Sequence, residues 1–310
     1  MHILNAISIG DAIPRADFDA AIHSVFRSAV NLSLAKESNL LTLVASSEAD
    51  LPQGLRVDTP DGFSFEIIRV GDSAACRAGL LRLGSLTIDL RAARRWACDL
   101  PSLQADPSNP AVASAWRIVW DALNARQIQW NAEIIAHDLF RSDSTLRAGA
   151  AVRGLLEATQ RFDSTAASSL DALIGLGSGL TPSGDDLLVG YLAGLWCAVS
   201  GKSERIQFAS DLGKEVIRLS GQTTDISRAY LYHAARGQVS SRLADLAEAI
   251  CSGENSDRLL AVLESAMQVG HTSGMDAVTG LLIGLVAWNS HADGCKFKIM
   301  AVTSGNCVPV

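Results

Sequence analysis

The chain has 310 residues and a formal net charge of −7, from 26 basic and 33 acidic residues. Its basic residues form no continuous run, which argues against nucleic acid or an anionic membrane as a partner. The longest apolar stretches, 187–199 and 277–288, are too short to cross a bilayer. Six cysteines without C-x-x-C spacing, and a start without a basic signal-peptide region, predict a cytoplasmic protein with reduced thiols and no zinc site.

Short strand-like segments dominate the first part of the chain. An apolar run covers 40–45, an alternating pattern covers 63–67, and a helix is predicted over 17–27. Segments 80–83 and 86–90 flank Gly84-Ser85, which suits a type II′ hairpin turn. We therefore expect residues 1–105 to form a β-rich region, either an antiparallel sheet or a small barrel.

Helical periodicity dominates the second part, after the proline-rich crossing at 101–110. Apolar residues recur at i, i+3, i+4 and i+7 from Trp116 to Leu123. Further helices are predicted over 144–161, 165–174, 204–219, 225–236, 240–252 and 256–269, and a C-terminal strand over 297–303. The predicted fold class is α+β, with a helical region over 106–310.

One phrase occurs twice in the helical region. The sequence S-G-x-D-x-x-x-G-x-x-x-G-L begins at Ser183 and again at Ser273. Each copy places a polar turn before an apolar helix that carries two glycines, and a glycine within a helix costs about 1 kcal/mol relative to alanine. Glycines at i and i+4 share one helix face and allow another backbone to approach. We therefore expect the two helices to pack on each other.

A glycine-rich loop precedes the first copy, in the sequence G-L-G-S-G-L-T-P-S-G-D-D over 175–186. Thr181 is predicted to cap the helix and Pro182 to be its first residue. The free N–H groups of a first helical turn favour an anion. The loop lacks the Gly-Lys-Ser/Thr ending of a nucleotide P-loop. The predicted substrate-binding residues here are Gly177, Ser178, Gly179, Thr181, Ser183, Gly184 and Asp185.

The adjacent carboxylates Asp185 and Asp186 would repel a phosphate unless a cation lay between them. They can hold Mg²⁺, or one of them can orient a substrate amide, or they can simply complement the helix dipole. No other cofactor is predicted. Asp186 is the predicted catalytic member of this pair.

The second copy adds His271 and Asp276, both predicted to be catalytic. A structural role for a single histidine beside a helix start is the alternative. A third polar patch, T-T-D-I-S over 223–227, precedes another predicted helix, which Asp225 can cap. The predicted substrate-binding residues from these two segments are Thr224, Ser227, Thr272, Ser273 and Gly274.

These three segments, with I-H-S-V-F-R-S-A-V-N-L over 22–32 and L-R-L-G-S-L-T-I-D-L over 81–90, resemble the AllH-like family. That family is associated with the oxamate carbamoyltransferase of anaerobic allantoin catabolism, a purine degradation pathway, and with FdrA-like and AllG-like subunits. Ser178 stands where the family more often has proline. The resemblance implies a transferase subunit that connects carbamoyl phosphate and oxamate with oxalurate, and it implies no catalytic residue.

Two functions from different classes follow. The first is a carbamoyltransferase subunit that binds small anionic substrates at the 175–186 and 270–276 turns. The second is a non-catalytic anion-binding or assembly subunit whose partner carries out the chemistry. Phosphotransfer with Mg²⁺ is disfavoured because the loop has no lysine.

Overall fold

The computed structural model describes residues 2–34, 40–132, 134–140, 147–163, 166–255 and 257–288. These residues divide into two compact units. The first contains the described residues up to Cys98 and the short segment Val239–Ser241. The second contains Asp99–Gln238 and the described residues from Arg242 onward.

The first unit is an eight-stranded closed barrel with one additional strand. Within the described chain the barrel order is β5-β4-β3-β2-β6-β7-β8-β1, and β1 closes it by pairing with β5. The ninth strand, β9, pairs with the end of β1. The strands are β1 (His2–Gly10), β2 (Phe18–Val25), β3 (Ala29–Leu34), β4 (Leu40–Val44), β5 (Gly54–Val57), β6 (Ser73–Arg77), β7 (Leu80–Leu83), β8 (Leu86–Asp89) and β9 (Arg94–Trp96).

Closure of the barrel depends on β1, which changes partner along its length. Its first half runs parallel to β8, and its second half runs antiparallel to β5. The β1–β5 register shifts between Ala6 and Ser8, an irregularity of the kind that bends a strand in a barrel. Alternate side chains, such as Leu41 and Leu43 of β4, fill the interior and are almost completely buried.

A buried carboxylate joins three parts of the barrel unit. Asp50, which is 6% exposed, lies 2.9 Å from Arg56 Nε and 2.7 Å from an Arg94 guanidinium nitrogen. The Ser8 hydroxyl also donates to it. Because each partner lies on a different strand, this network ties β1, β5 and β9 to the loop before β5.

The predicted β-rich region and the hairpin around Gly84 are confirmed. Gly84 has a φ of 55°, as the first loop position of a type II′ turn requires. Two local predictions were wrong. Residues 18–25 form strand β2 and not a helix, because Ala20 and Ile22 face the barrel core at alternate positions. Phe65–Ile67 is a 3₁₀ turn and not part of a strand.

The second unit is helical, which confirms the predicted α+β class. Its described α-helices are α1 (Pro110–Gln129), α2 (Arg147–Gln160), α3 (Ala167–Leu173), α4 (Ser183–Cys197), α5 (Ser203–Leu219), α6 (Asp225–Ala234), α7 (Ser241–Cys251), α8 (Asp257–Met267) and α9 (Ser273–Val286). The predicted strand over 297–303 lies outside the described residues. None of the described helices has the length and apolar character needed to cross a membrane.

Helices α4 and α9 lie at the centre of the helical unit and pack in parallel. A methyl group built on Gly190 would lie 1.8 Å from the carbonyl oxygen of Ala277, and one on Gly280 would lie 1.9 Å from that of Leu187. One turn later, Gly194 meets the Leu281 carbonyl and Gly284 meets the Tyr191 carbonyl, at 2.4 and 2.3 Å. Equivalent residues thus make reciprocal contacts. The predicted close packing of the repeated helices is confirmed.

Candidate functional site

The parallel packing of α4 and α9 brings their two N-termini together. Asp186 precedes Gly190 by four residues, as Asp276 precedes Gly280, so each carboxylate lies on the same helix face as the glycines. This face is the one that contacts the other helix. The repeated sequence therefore places the two aspartates near each other, at the positive ends of two helix dipoles.

Two hydroxyl groups connect the starts of the helices. The Thr181 hydroxyl lies 2.8 Å from the Ser273 hydroxyl, in hydrogen-bond contact. Both hydroxyls also hydrogen-bond the Asp186 carboxylate. We call Thr181, Asp186, Ser273 and Asp276 the cap cluster. Thr181 was predicted as the α4 N-cap, but the helix begins one residue later and Pro182 occupies the cap position, which leaves the threonine hydroxyl to bond α9.

The cap cluster favours a protonated carboxyl group. Burial, with smaller contributions from the charges of Asp276 and Asp185, raises the pKa of Asp186 to about 8, although the Ser273 and Thr181 hydroxyls oppose the rise. The Oδ2 atom of Asp186 is buried and has no hydrogen-bond partner among the described residues. Asp276 is only 1% exposed. At neutral pH, Asp186 can therefore hold a proton beside a second buried carboxyl group.

Asp185, the neighbour of Asp186, points to a different part of the unit, because successive residues of a helix lie about 100° apart. One of its oxygens accepts the Gly175 N–H at 2.9 Å, and the other accepts the Thr223 hydroxyl. The Ser227 hydroxyl is a third polar group beside it. Burial raises the pKa of Asp185, and the Thr223 hydroxyl, the Gly175 N–H and the nearby Ser227 hydroxyl oppose that rise.

The glycine-rich loop before α4 has an exposed tip. Gly175, Gly177 and Gly179 all have positive φ, at 74°, 110° and 93°, whereas Leu176 and Ser178 do not. Glycine adopts a positive φ without steric cost, so the loop turns at these three positions where another residue would be strained. Residues 177–180 are exposed. The Thr224 hydroxyl fixes the end of this tip by donating to the Leu180 carbonyl at 2.6 Å.

The glycines of the Ser-Gly prefix make backbone contacts in each copy. A methyl group on Gly184 would lie 2.0 Å from the Leu173 carbonyl oxygen at the end of α3. One on Gly274 would lie 2.3 Å from the Ala266 carbonyl oxygen in α8. Ser183, which precedes Gly184, is buried. The Ser-Gly prefix thus packs the start of each repeated helix directly against the helix that precedes it in the chain.

The 270–276 turn carries the remaining predicted residues. His271 is exposed, and its ring lies 5.8 Å from that of Trp130, which follows α1. Among the described residues, His271 makes no hydrogen bond to the cap cluster. Thr272 is the N-cap residue of α9, and its carbonyl accepts the Asp276 N–H at 3.0 Å.

Three residues at this end of the unit were not predicted as site residues: Gly175, Thr223 and Trp130. A hydroxyl and a glycine inside quoted motifs were visible signals for the first two. Trp130 carried no sequence signal, because its exposure is known only from the structure. Within the described part of the chain, no group of three or more His, Cys, Asp or Glu residues is arranged to hold a metal ion.

The comparisons with known proteins agree with this division of the chain. A family model described as the AllH family N-terminal domain matches residues 5–95, which form the barrel. A second model, described as oxamate carbamoyltransferase subunit AllH, matches residues 173–285, from the end of α3 to α9. A search of solved structures gave no match to the chain.

The barrel and the paired helix starts thus define a protein of two units, and each family model matches one of them. Together the two models span about two thirds of the chain. The chain belongs to the AllH family, the family of an oxamate carbamoyltransferase subunit.

Proposed function

We propose that this chain is a catalytic subunit of an oxamate carbamoyltransferase and that its substrates bind at the cap cluster and the adjacent glycine-rich loop. The family match supports the reaction and the role as a subunit. The observation that carries the location is the hydrogen bond between Thr181 and Ser273, which joins the starts of two repeated helices. FdrA-like and AllG-like subunits are the proposed partners, and the cytoplasm is the proposed compartment.

The exposed loop tip suits the phosphate of carbamoyl phosphate. Its exposed backbone can offer N–H donors, and two helix dipoles point their positive ends at the same region. The exposed Ser178 and the hydroxyl of Thr181 add donors on either side of Gly179. In this proposal the phosphate contacts the loop, and the reacting carbamoyl group lies toward the buried carboxyl groups. The predicted contacts from Ser183, Thr224, Ser227 and Thr272 remain proposals for the same pocket.

The carboxyl groups supply proton transfer. The oxamate nitrogen attacks the carbamoyl carbon, a C–N bond forms, the C–O bond to phosphate breaks, and the nitrogen loses a proton. Asp276, when ionised, accepts that proton. Asp186, protonated at neutral pH because burial raises its pKa to about 8, donates a hydrogen bond to the oxygen that becomes negative. His271, on the exposed side next to Trp130, is proposed to exchange protons with solvent.

A non-catalytic role in assembly is the second candidate, and one observation favours it. Trp130 is 48% exposed and Leu180 is 52% exposed, and both lie at the end of the unit that carries the cap cluster and its loop. Exposed large apolar side chains of this kind are typical of protein interfaces. A Mg²⁺ ion between Asp185 and Asp186 is the weaker alternative, because the two side chains point to different parts of the unit and Asp185 already accepts from Gly175 and Thr223. It predicts that Mg²⁺ raises the melting temperature of the isolated chain.

A transfer assay separates these functions. Oxalurate and phosphate are measured with carbamoyl phosphate and oxamate, using this chain alone, the partner subunits alone and the mixture. The proposal predicts activity that requires this chain and falls at least about hundredfold in Asp276→Asn, the range typical for loss of an acid or base. Asp121→Asn, which removes an exposed carboxylate from α1, is the matched control. Full activity of the assembled Asp276→Asn complex would favour the assembly role.

A further inference from the structure

Two adjacent threonines hold the glycine-rich loop at both ends. Thr223 acts through Asp185, whose other oxygen accepts the N–H of Gly175 at the start of the loop. Thr224 donates directly to the carbonyl of Leu180 near the end of the loop, at 2.6 Å. The loop is thus fastened at residues 175 and 180 to the turn that precedes α6.

Contacts of the loop backbone make this arrangement tight. A methyl group on Gly175 would lie 3.2 Å from the Gln222 carbonyl oxygen, so the loop start presses on the turn. One on Gly177 would lie 2.8 Å from the Ser183 nitrogen, so the loop folds back on the start of α4. Between these points the tip is exposed and contacts little else. The position of the tip therefore depends on the ends of the loop, where backbone hydrogen bonds of Leu176 with Leu173 and Gly184 add to the two fastenings.

Asp185 is suited to this role because it is fully engaged. It is 1% exposed, and a carboxylate in such a place is stabilised only if its oxygens accept hydrogen bonds. Its two donors come from the loop (Gly175) and the turn (Thr223), and the Ser227 hydroxyl in the first turn of α6 lies beside it. A carboxylate accepts from several donors at once, whereas an asparagine would replace one acceptor with a donor.

We propose that Asp185 is a positioning residue: with Thr223 it fixes the glycine-rich loop on α6 and thereby places the Thr181 hydroxyl against Ser273 and Asp186. This inference rests on the proposed function for its consequence in catalysis, but the fastening itself does not. It assigns the two adjacent aspartates different tasks. Asp186 faces the other repeated helix, and Asp185 orders the loop that completes the site.

Thr223→Val is the sharpest test, because valine has nearly the same shape and lacks only the hydroxyl. Thr223→Ser, which keeps the hydroxyl, is the matched control. Asp185→Asn is the second variant. Amide hydrogen exchange is measured by mass spectrometry on peptides that cover the loop (175–182) and the buried part of α4 (187–197). Carbamoyl-transfer kinetics are measured on the same proteins, assembled with their partner subunits.

The account predicts exchange of the hydrogen-bonded Gly175 and Leu176 amides in the loop peptide that is about tenfold to hundredfold faster in Thr223→Val, the range for loss of a hydrogen bond to a charged group. Exchange in α4 stays unchanged, and Thr223→Ser behaves as wild type. The KM for carbamoyl phosphate rises in Thr223→Val more than kcat falls, and serine restores it. Loop exchange equal to wild type in both Thr223→Val and Asp185→Asn would overturn the fastening.

Faster loop exchange with unchanged KM would overturn the positioning role. An inactive wild-type assembly would instead refute the proposed function, and loop exchange would still decide whether Asp185 and Thr223 fasten the loop.

Discussion

The contact between α4 and α9 predicts that single alanine substitutions at its glycines destabilise the protein. In Gly190→Ala the new methyl group would lie 1.8 Å from the carbonyl oxygen of Ala277. Carbon–oxygen contacts in proteins are about 3.3–3.6 Å, so the two helices must separate by more than about 1 Å. This separation loosens the contact on both sides, because Gly280 approaches Leu187 just as closely.

The magnitude follows from two opposing terms. Alanine gains about 1 kcal/mol over glycine in helix propensity. Overpacking of a tight core costs about 1–3 kcal/mol and occasionally more, and here the obstacle is backbone, which cannot rotate away. We expect a net loss of about 2 kcal/mol, or a decrease in melting temperature of about 4–8 °C for a unit of this size. Gly190→Ala/Gly280→Ala should cost less than the sum of the single variants, because one separation relieves both contacts.

Differential scanning calorimetry of each variant measures this effect. Gly154→Ala is the matched control, because it also lies within a helix but its methyl group meets only the side-chain oxygen of Ser169, at 2.5 Å. That oxygen can rotate away, so we expect little change or a small gain in stability. If Gly190→Ala melts at or above the temperature of Gly154→Ala, the close-packing argument is wrong.

Three further predictions concern charge. Because the folded-state pKa of Asp186 is raised to about 8, the folded state binds more protons than the unfolded state between the two pKa values, and stability falls as pH rises. Between pH 6.5 and 8 we expect urea titrations to show a loss of about 2 kcal/mol in wild type relative to Asp186→Asn, a comparison in which the other titrating groups cancel. Burial lowers the pKa of His233 to about 4, so the unfolded state binds the extra proton between pH 4 and 6.5. On acidification through that window, the same titrations should show that wild type loses about 3 kcal/mol more stability than His233→Gln. In the barrel, Asp50→Ala leaves Arg56 without its buried partner and should reduce the free energy of unfolding by about 3–5 kcal/mol. Asp19→Ala, which removes an exposed ion pair, should cost less than about 1 kcal/mol. Equal losses in these two variants, or pH profiles that Asp186→Asn and His233→Gln leave unchanged, would contradict the assignments.

Local periodicity and the repeat predicted much of the helical unit. The repeated glycines predicted the α4–α9 contact because residues four apart lie on the same face of a helix. The same spacing places Asp186 and Asp276 on that face, which explains why the structure brings these two together. The sequence assigned Asp186 to catalysis and Asp185 to substrate binding, but it gave no sign that Asp185 bonds Gly175 and Thr223. The direction of each side chain, about 100° from its neighbour, acquires meaning only when the elements around α4 are known.

The barrel was less accessible from the sequence. Its closure requires β1 to pair with β5 and β8, and these pairings join distant residues that no local pattern identifies. Strand β2 was predicted as a helix because its apolar residues are too closely spaced to show a clean period of two. The role of Thr181 depended on a helix start that shifted by one residue, which lies within the usual uncertainty of a cap.

The central claim is that the two repeated helix starts form one substrate site. Binding of carbamoyl phosphate to wild type, Asp186→Asn, Asp276→Asn and the double variant, measured as the ligand-induced increase in melting temperature, tests it most directly. Asp121→Asn is the control, and should match wild type. A shared site predicts that each single substitution abolishes most of the increase and that the double variant is little worse, because contacts to one ligand are not additive. Independent and additive losses would show two separate sites and would contradict the account.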